Sequence, residues 1–412
     1  MSQKRPELLI PASSLEVLKT AVMFGADAVY IGGEAFGLRA KAKNFSMEDM
    51  KEGVQFAHEH GARVHVTVNI LAHNDDLEGA AEYLKELKEI GPDALIIADP
   101  AIFMLAKEIC PEIERHVSTQ ANNTNYGTFN FWWNLGAKRV VTARELSLKE
   151  IREIRAHIPA EMEIESFIHG AMCISYSGRC LLSNFFTGRD ANQGACTHPC
   201  RWKYSVVEET RPGEYMPVYE NERGTYIFNS KDLCMIEHIP EMIDAGIDSF
   251  KIEGRMKTAL YVATVARTYR KAIDDYLEDP KKYEANMPWY RDQISNCTYR
   301  QFTTGFYFGK PGDESQIYDS NTYIKEYTYL GIIGGIKDGM YRIEQRNKFS
   351  VGETVEIMKP DGQNVEVTVE KIIDEDGQEQ ESAPHPKQVL YVALSGEASV
   401  YDILRRQEGV TE

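Results

Sequence analysis

The stretch Arg63-Val-His-Val-Thr-Val-Asn69 is a short apolar run, and a second one, Ala94-Leu-Ile-Ile-Ala98, follows it after a segment that reads as a helix. Two such strands joined through a helix form a parallel βαβ unit, because the crossover must carry the chain back before the next strand begins. The same rhythm extends outward. Glu7–Pro11 and Ala28–Ile31 precede the pair, and Arg115–Gln120, Arg139–Thr142, Glu161–Ile168 and Ser249–Glu253 follow it. Ser46-Met-Glu-Asp49 opens one intervening helix in capping-box style, Gly61 follows its last turn, and Ser147 begins another. Eight strands in this order predict an α/β fold, a (β/α)8 TIM-like barrel, with a doubly wound open sheet as the alternative.

The barrel is expected over residues 1–277, with a cysteine-rich insertion at 169–230. Strand seven ends near His169, and the next helix is expected near Lys231, with Ser230 as its N-cap and Cys234 in its first turns. The gap of about sixty residues far exceeds the ~2–6 of a usual βα loop. It leaves the C-terminal end of a strand, where barrel enzymes place their active sites. A Pro- and Tyr-rich helical or irregular connector covers 278–321. Residues 322–412 then change pattern, with short β runs at Tyr329–Ile336, Met340–Glu344, Thr354–Met358, Gln363–Ile373 and Gln388–Leu394. Turns such as Lys-Asp-Gly and Pro-Asp-Gly divide them. These predict a small all-β barrel, its final strand around Ser395–Ser399.

The 412 residues are 43% hydrophobic and 26% charged, the balance of a globular protein. No run approaches the ~20 apolar residues of a membrane span, and Met1–Pro6 adjoins no apolar run of the secretory type. A cytoplasmic location is therefore expected. A net charge of −17 argues against a broad basic surface for duplex nucleic acid but leaves room for a local basic groove. Five of the seven cysteines lie between positions 173 and 234, a clustering that points to metal or redox chemistry.

Cys173, Cys180, Cys196 and Cys200 follow C-x6-C-x15-C-x3-C, with Cys234 as a fifth candidate. Thiolates suit an iron–sulfur cluster or zinc, and the wide, uneven spacing favours the cluster; small buried hydrophobes are the bland alternative. Cys110 and Cys297 read as core. Glu165 and His169, near the end of strand seven, and Arg255 are candidate catalytic residues. After strand two, Gly32-Gly-Glu-Ala-Phe-Gly-Leu-Arg-Ala-Lys-Ala-Lys43 gathers Arg39, Lys41 and Lys43 in a turn suited to an anion. Arg39, Lys41, Gln120, Asn122, Arg144 and Lys251 are candidate substrate-binding residues. Candidates for a local basic strip are Arg189, Arg201, Lys203, Lys257, Arg267, Arg270 and Lys271. Hydrolase signatures are poor: His58-Glu-His60 lacks the HExxH spacing, and there is no GxSxG elbow. A Cys173/His169 peptidase dyad is the weaker reading of those residues.

Glu165-Ser-Phe-Ile-His-Gly-Ala-Met-Cys173-Ile-Ser-Tyr-Ser-Gly-Arg-Cys180-Leu-Leu-Ser183 resembles the signature of the collagenase-like peptidase family U-32. The resemblance extends through Tyr30-Ile-Gly-Gly, Ser118-Thr-Gln120, Arg144-Glu-Leu-Ser-Leu148, Asn229-Ser-Lys-Asp-Leu-Cys234 and Phe250-Lys-Ile-Glu-Gly-Arg255. Glu344-Gln-Arg-Asn-Lys-Phe-Ser-Val-Gly352 looks like that family's small β-barrel, similar to a translation-factor barrel. Within the family, the resemblance is nearest to members that hydroxylate tRNA. It implies oxygen-independent 5-hydroxylation of the wobble uridine in the anticodon loop, with prephenate as co-substrate and a 4Fe-4S cluster. The ligands it implies are Cys173, Cys180 and Cys196 with Cys234, or a set that includes Cys200. Other relatives act on ribosomal RNA or a quinone precursor, or carry the peptidase label. A collagenase-type peptidase and a non-catalytic RNA-binding metalloprotein are thus the rival expectations.

Overall fold

A computed structural model describes residues 4–34, 36, 44–173, 175–202, 205–206, 216–217, 229–311, 316–317 and 326–408. The chain divides into two compact units, the first comprising 1–22, 26–257 and 300–322 and the second 23–25, 258–299 and 323–412.

In the first unit, strands β1 (Glu7–Pro11), β2 (Ala28–Gly32), β3 (Arg63–Val68), β4 (Ala94–Ile97), β5 (Glu114–Val117), β6 (Arg139–Val141) and β7 (Glu163–Ala171) pair in sequence order, all parallel. The strand Ser249–Ile252 pairs in parallel with both β7 and β1 and closes the cylinder, so the barrel is realised and the open sheet is not. Helices α1 (Leu15–Met23), α2 (Met47–Glu59), α3 (Asn74–Ile90), α4 (Pro100–Ile109), α5 (Tyr126–Leu135) and α6 (Leu148–Ala156) connect successive strands. Their starts follow from side chains that satisfy orphan N–H groups. Ser46 accepts from the Asp49 amide, Asp99 caps α4 ahead of Pro100, and Ser147 forms a reciprocal capping box with Glu150. Each such cap contributes about 1 kcal/mol. Among the described residues, no helix is long and apolar enough to cross a membrane.

The barrel interior is unusual in chemistry. Leu9, Ala28, Tyr30 and Ile96 form a small apolar cluster, but much of the remainder is charged. Arg139, 2% exposed, donates from β6 to Glu7 at 2.5 Å, Glu163 at 2.7 Å and Glu165 at 3.1 Å. Burial opposes ionisation of Glu7, yet the Arg139 guanidinium outweighs it and holds that carboxyl far below the usual range.

Beyond β7 the structure departs from expectation. The strand runs on to Ala171, and Asp232–Cys234 is a strand rather than the start of a helix. It pairs antiparallel with the end of β7, placing Cys234 opposite His169, and parallel with Phe302–Thr303. Backbone partners on both sides leave no room for a helical turn there. Ser230 is not an N-cap but pairs with Gln316, and the next helix is Ile239–Asp244. The insertion itself carries a short helix, Leu182–Thr187.

The second unit contains helices Ala259–Glu278, Pro280–Ala285 and Met287–Ser295 and a seven-stranded antiparallel sheet. Pairing of Thr354–Met358 with both Ile403–Gln407 and Asn364–Asp374 closes the sheet over a core that includes Leu330, Ile333, Phe349, Val355 and Leu390. The Asp338-Gly339 turn, both residues at positive φ, joins Tyr327–Lys337 to Met340–Glu344. The final strand lies at Ile403–Gln407, not at Ser395–Ser399. Its arginines disguise it, because Arg405 is buried against Glu356. Arg267, a candidate for the basic strip, is likewise buried. It donates to the Lys359 carbonyl at 2.9 Å, and burial together with nearby Arg405 lowers its pKa to about 9. Arg270 and Lys271 form ion pairs with Asp274 and Asp275 one helical turn on.

Candidate active site at the barrel mouth

The C-terminal ends of β5, β6, β7 and the closing strand bring the principal candidates together. Arg144 follows β6, and its guanidinium makes three polar contacts. It donates to Glu253 Oε2 at 3.0 Å and Ser177 Oγ at 3.0 Å, and lies 3.8 Å from Cys173 Sγ. Its cationic carbon sits 4.0 Å over the Phe167 ring. Burial works against its charge, but electrostatic interaction with Cys173 and Glu253 raises its pKa overall. Asn122, in the left-handed region, donates to the Ser177 carbonyl at 2.9 Å and accepts from Arg179 Nε at 2.7 Å. The first turn of the cysteine loop is thus tied to two strand ends.

Gln120 is buried beside this turn, and its Oε1 has no hydrogen-bond donor among the described residues. Arg255 donates to Thr67 Oγ1 at 2.8 Å and lies across the end of β2. A Cβ on Gly32 would sit 2.4 Å from that guanidinium, which is why the strand ends in glycine. Gly170, at φ +108°, similarly lets β7 pass the Glu253 carbonyl, which a Cβ would meet at 2.4 Å. Lys251 and Glu165 lie deeper, joined at 2.6 Å, with the ammonium 4.5 Å from the Tyr30 ring centroid. His169 is buried near Phe302, and burial lowers its pKa to about 4. Arg39 and Lys41 lie outside the described residues, as do Lys43 and Lys203.

None of the seven cysteines forms a disulfide. Cys110 and Cys297 are buried as expected, whereas Cys173 and Cys196 are exposed and Cys180, Cys200 and Cys234 are half-buried. Asp232 fixes the Cys234 strand, accepting from Arg300 Nε at 3.0 Å in a buried ion pair. Soft donors on one loop and its neighbouring strand are of the kind that hold an iron–sulfur centre or zinc.

Sequence reasoning missed Ser177, Thr67 and the Asp232–Arg300 pair, whose partners are remote in sequence. It also missed an aromatic surface on the insertion. Phe185 is 82% exposed, with ring contacts running from it to Phe186 and on to Trp202. The adjacent Phe-Phe pair was the available signal.

A barrel with this cysteine loop, followed by a small β-barrel, defines a family. The chain belongs to peptidase family U32, matching the family over residues 13–317 and the family's C-terminal domain over 325–405. Among individual proteins, it is 43% identical to tRNA hydroxylation protein P1 of Bacillus subtilis (strain 168) over 405 residues, covering 98% of this chain and 95% of that one. It is 39% identical to tRNA hydroxylation protein P of Escherichia coli (strain K12), covering 92% of each. The 23S rRNA 5-hydroxycytidine C2501 synthase of the same organism is 40% identical over 68% of this chain and 41% of its own length.

Proposed function

We propose that this protein is an RNA hydroxylase whose substrate is the wobble uridine of tRNA, with prephenate as co-substrate and a cluster held by Cys173, Cys180 and Cys196 with Cys234 or Cys200. The observation that carries the reading is the Arg144 contact with Cys173 and Ser177, in a chain similar from end to end to tRNA hydroxylation proteins. When bound, the cluster supplies redox and Lewis-acid capacity at the mouth. Arg144 orients the cysteine loop and keeps positive charge beside it. Arg255 offers a guanidinium to a carboxylate of a dicarboxylate such as prephenate. Gln120 presents an acceptor to a nucleobase edge, and Phe185, Phe186 and Trp202 offer faces on which unstacked anticodon bases can lie.

The peptidase reading is supported less well. A polar contact to the Cys173 sulfur comes from Arg144, a cation and not the imidazole base that a peptidase dyad would need. Nucleoside mass spectrometry of tRNA from a deletion strain should show loss of wobble hydroxyuridine, restored by the wild-type gene. Arg144→Lys, which keeps the charge but not the fork, should restore less than a tenth. Unchanged hydroxyuridine in the deletion strain would refute the assignment.

A further inference from the structure

We propose that the barrel interior holds one divalent transition-metal ion between His65, His116 and Glu165, separate from the cysteine centre. These residues project from β3, β5 and β7. Each offers one ligand atom, all within 4.8 Å of one another, and all three side chains are buried. Neither ring nitrogen of His65 makes a hydrogen bond among the described residues, and neither does Nδ1 of His116. Leaving a buried polar group unsatisfied costs about 1–3 kcal/mol, so three nitrogens in one small space call for a partner.

The His116 ring is already oriented for ligation. Its Nε2 lies 3.1 Å from Glu114 Oε2, so Nε2 carries the proton and Nδ1 keeps its lone pair. A carboxylate behind an imidazole is the usual support of a metal-binding histidine. Glu165 accepts from Lys251 and Arg139, yet an ionised carboxylate has about four lone-pair positions and retains capacity for an ion. Two imidazoles and one carboxylate select zinc or ferrous iron over magnesium or calcium, which prefer oxygen alone.

The test uses full-length protein dialysed against metal-free buffer, reloaded with Zn(II) or Co(II) and passed through gel filtration. Metal, iron and sulfide are measured on the same sample, so the cluster is counted separately. About one retained zinc or cobalt per chain is expected, absent from His65→Leu and His116→Asn at unchanged iron and sulfide. No retained ion in the wild type, or equal retention in wild type and folded variants, overturns the site and leaves water as the partner of these nitrogens. Should the variants not fold, spin-echo spectroscopy of the cobalt-loaded wild type decides. Coupling to two imidazole nitrogens supports the site, and coupling to fewer rejects it.

Discussion

Arg139 and Arg144 stand five residues apart and do opposite work. Arg144 lines the mouth, while Arg139 neutralises carboxylates in the interior. Replacing Arg139 with Met should destabilise the protein by about 3–5 kcal/mol in urea unfolding, since it strands buried carboxylates. The pH dependence follows from the depressed Glu7 carboxyl. Its contribution is complete above the unfolded value of ~4.3 and is lost progressively as pH falls below that, so Arg139→Met should flatten the stability curve in that acid range. Arg144 was legible because it stands at a strand end in a quoted motif. The depth of Glu165 was not. Strand seven was read as ending at Ile168 but runs to Ala171, so Glu165 sits a full layer lower than expected. Alternation fixes which way a side chain faces, whereas height along the barrel needs the true strand end.

At the scale of elements, the eight strands were readable because most are short apolar runs with a helix behind them. The strand Asp232–Cys234 was not, because nothing in Asp-Leu-Cys distinguishes three residues of strand from the first turn of a helix. Its identity comes from partners far away, with Arg300 lying 68 positions on. Arg300→Met should therefore loosen this strand before the barrel. The expected outcome is a fall of at least half in iron and sulfide per chain, with far-UV circular dichroism nearly unchanged. Full cluster content in the variant would show that Cys234 needs no such anchor. The closing strand of the second unit escaped for a related reason, since Ile-Leu-Arg-Arg-Gln hides an inward arginine that only its Glu356 partner explains.

At the scale of the whole molecule, the sequence boundary between barrel and β-rich region is set by composition, whereas the compact units follow contacts and place residues 258–299 with the β-barrel. Arg267 supplies one of those contacts through the Lys359 and Gln363 carbonyls and Asn364. A fragment spanning 258–408 should thus be more stable than 326–408 by at least about 2 kcal/mol, the worth of hydrogen bonds from a charged group, as measured by chemical denaturation. The first unit carries a different consequence. Ser249 reaches Glu7 across 242 positions of chain. At ~5–20 residues per second, the ribosome needs roughly 12–50 s between making one and making the other. For that interval the sheet is an open cradle, and its inner surface bears Glu7, Arg63, Glu114, Arg139 and Glu163. A nascent barrel with an apolar lumen would offer a sticky trough to its neighbours; this one shows water a face of alternating charge.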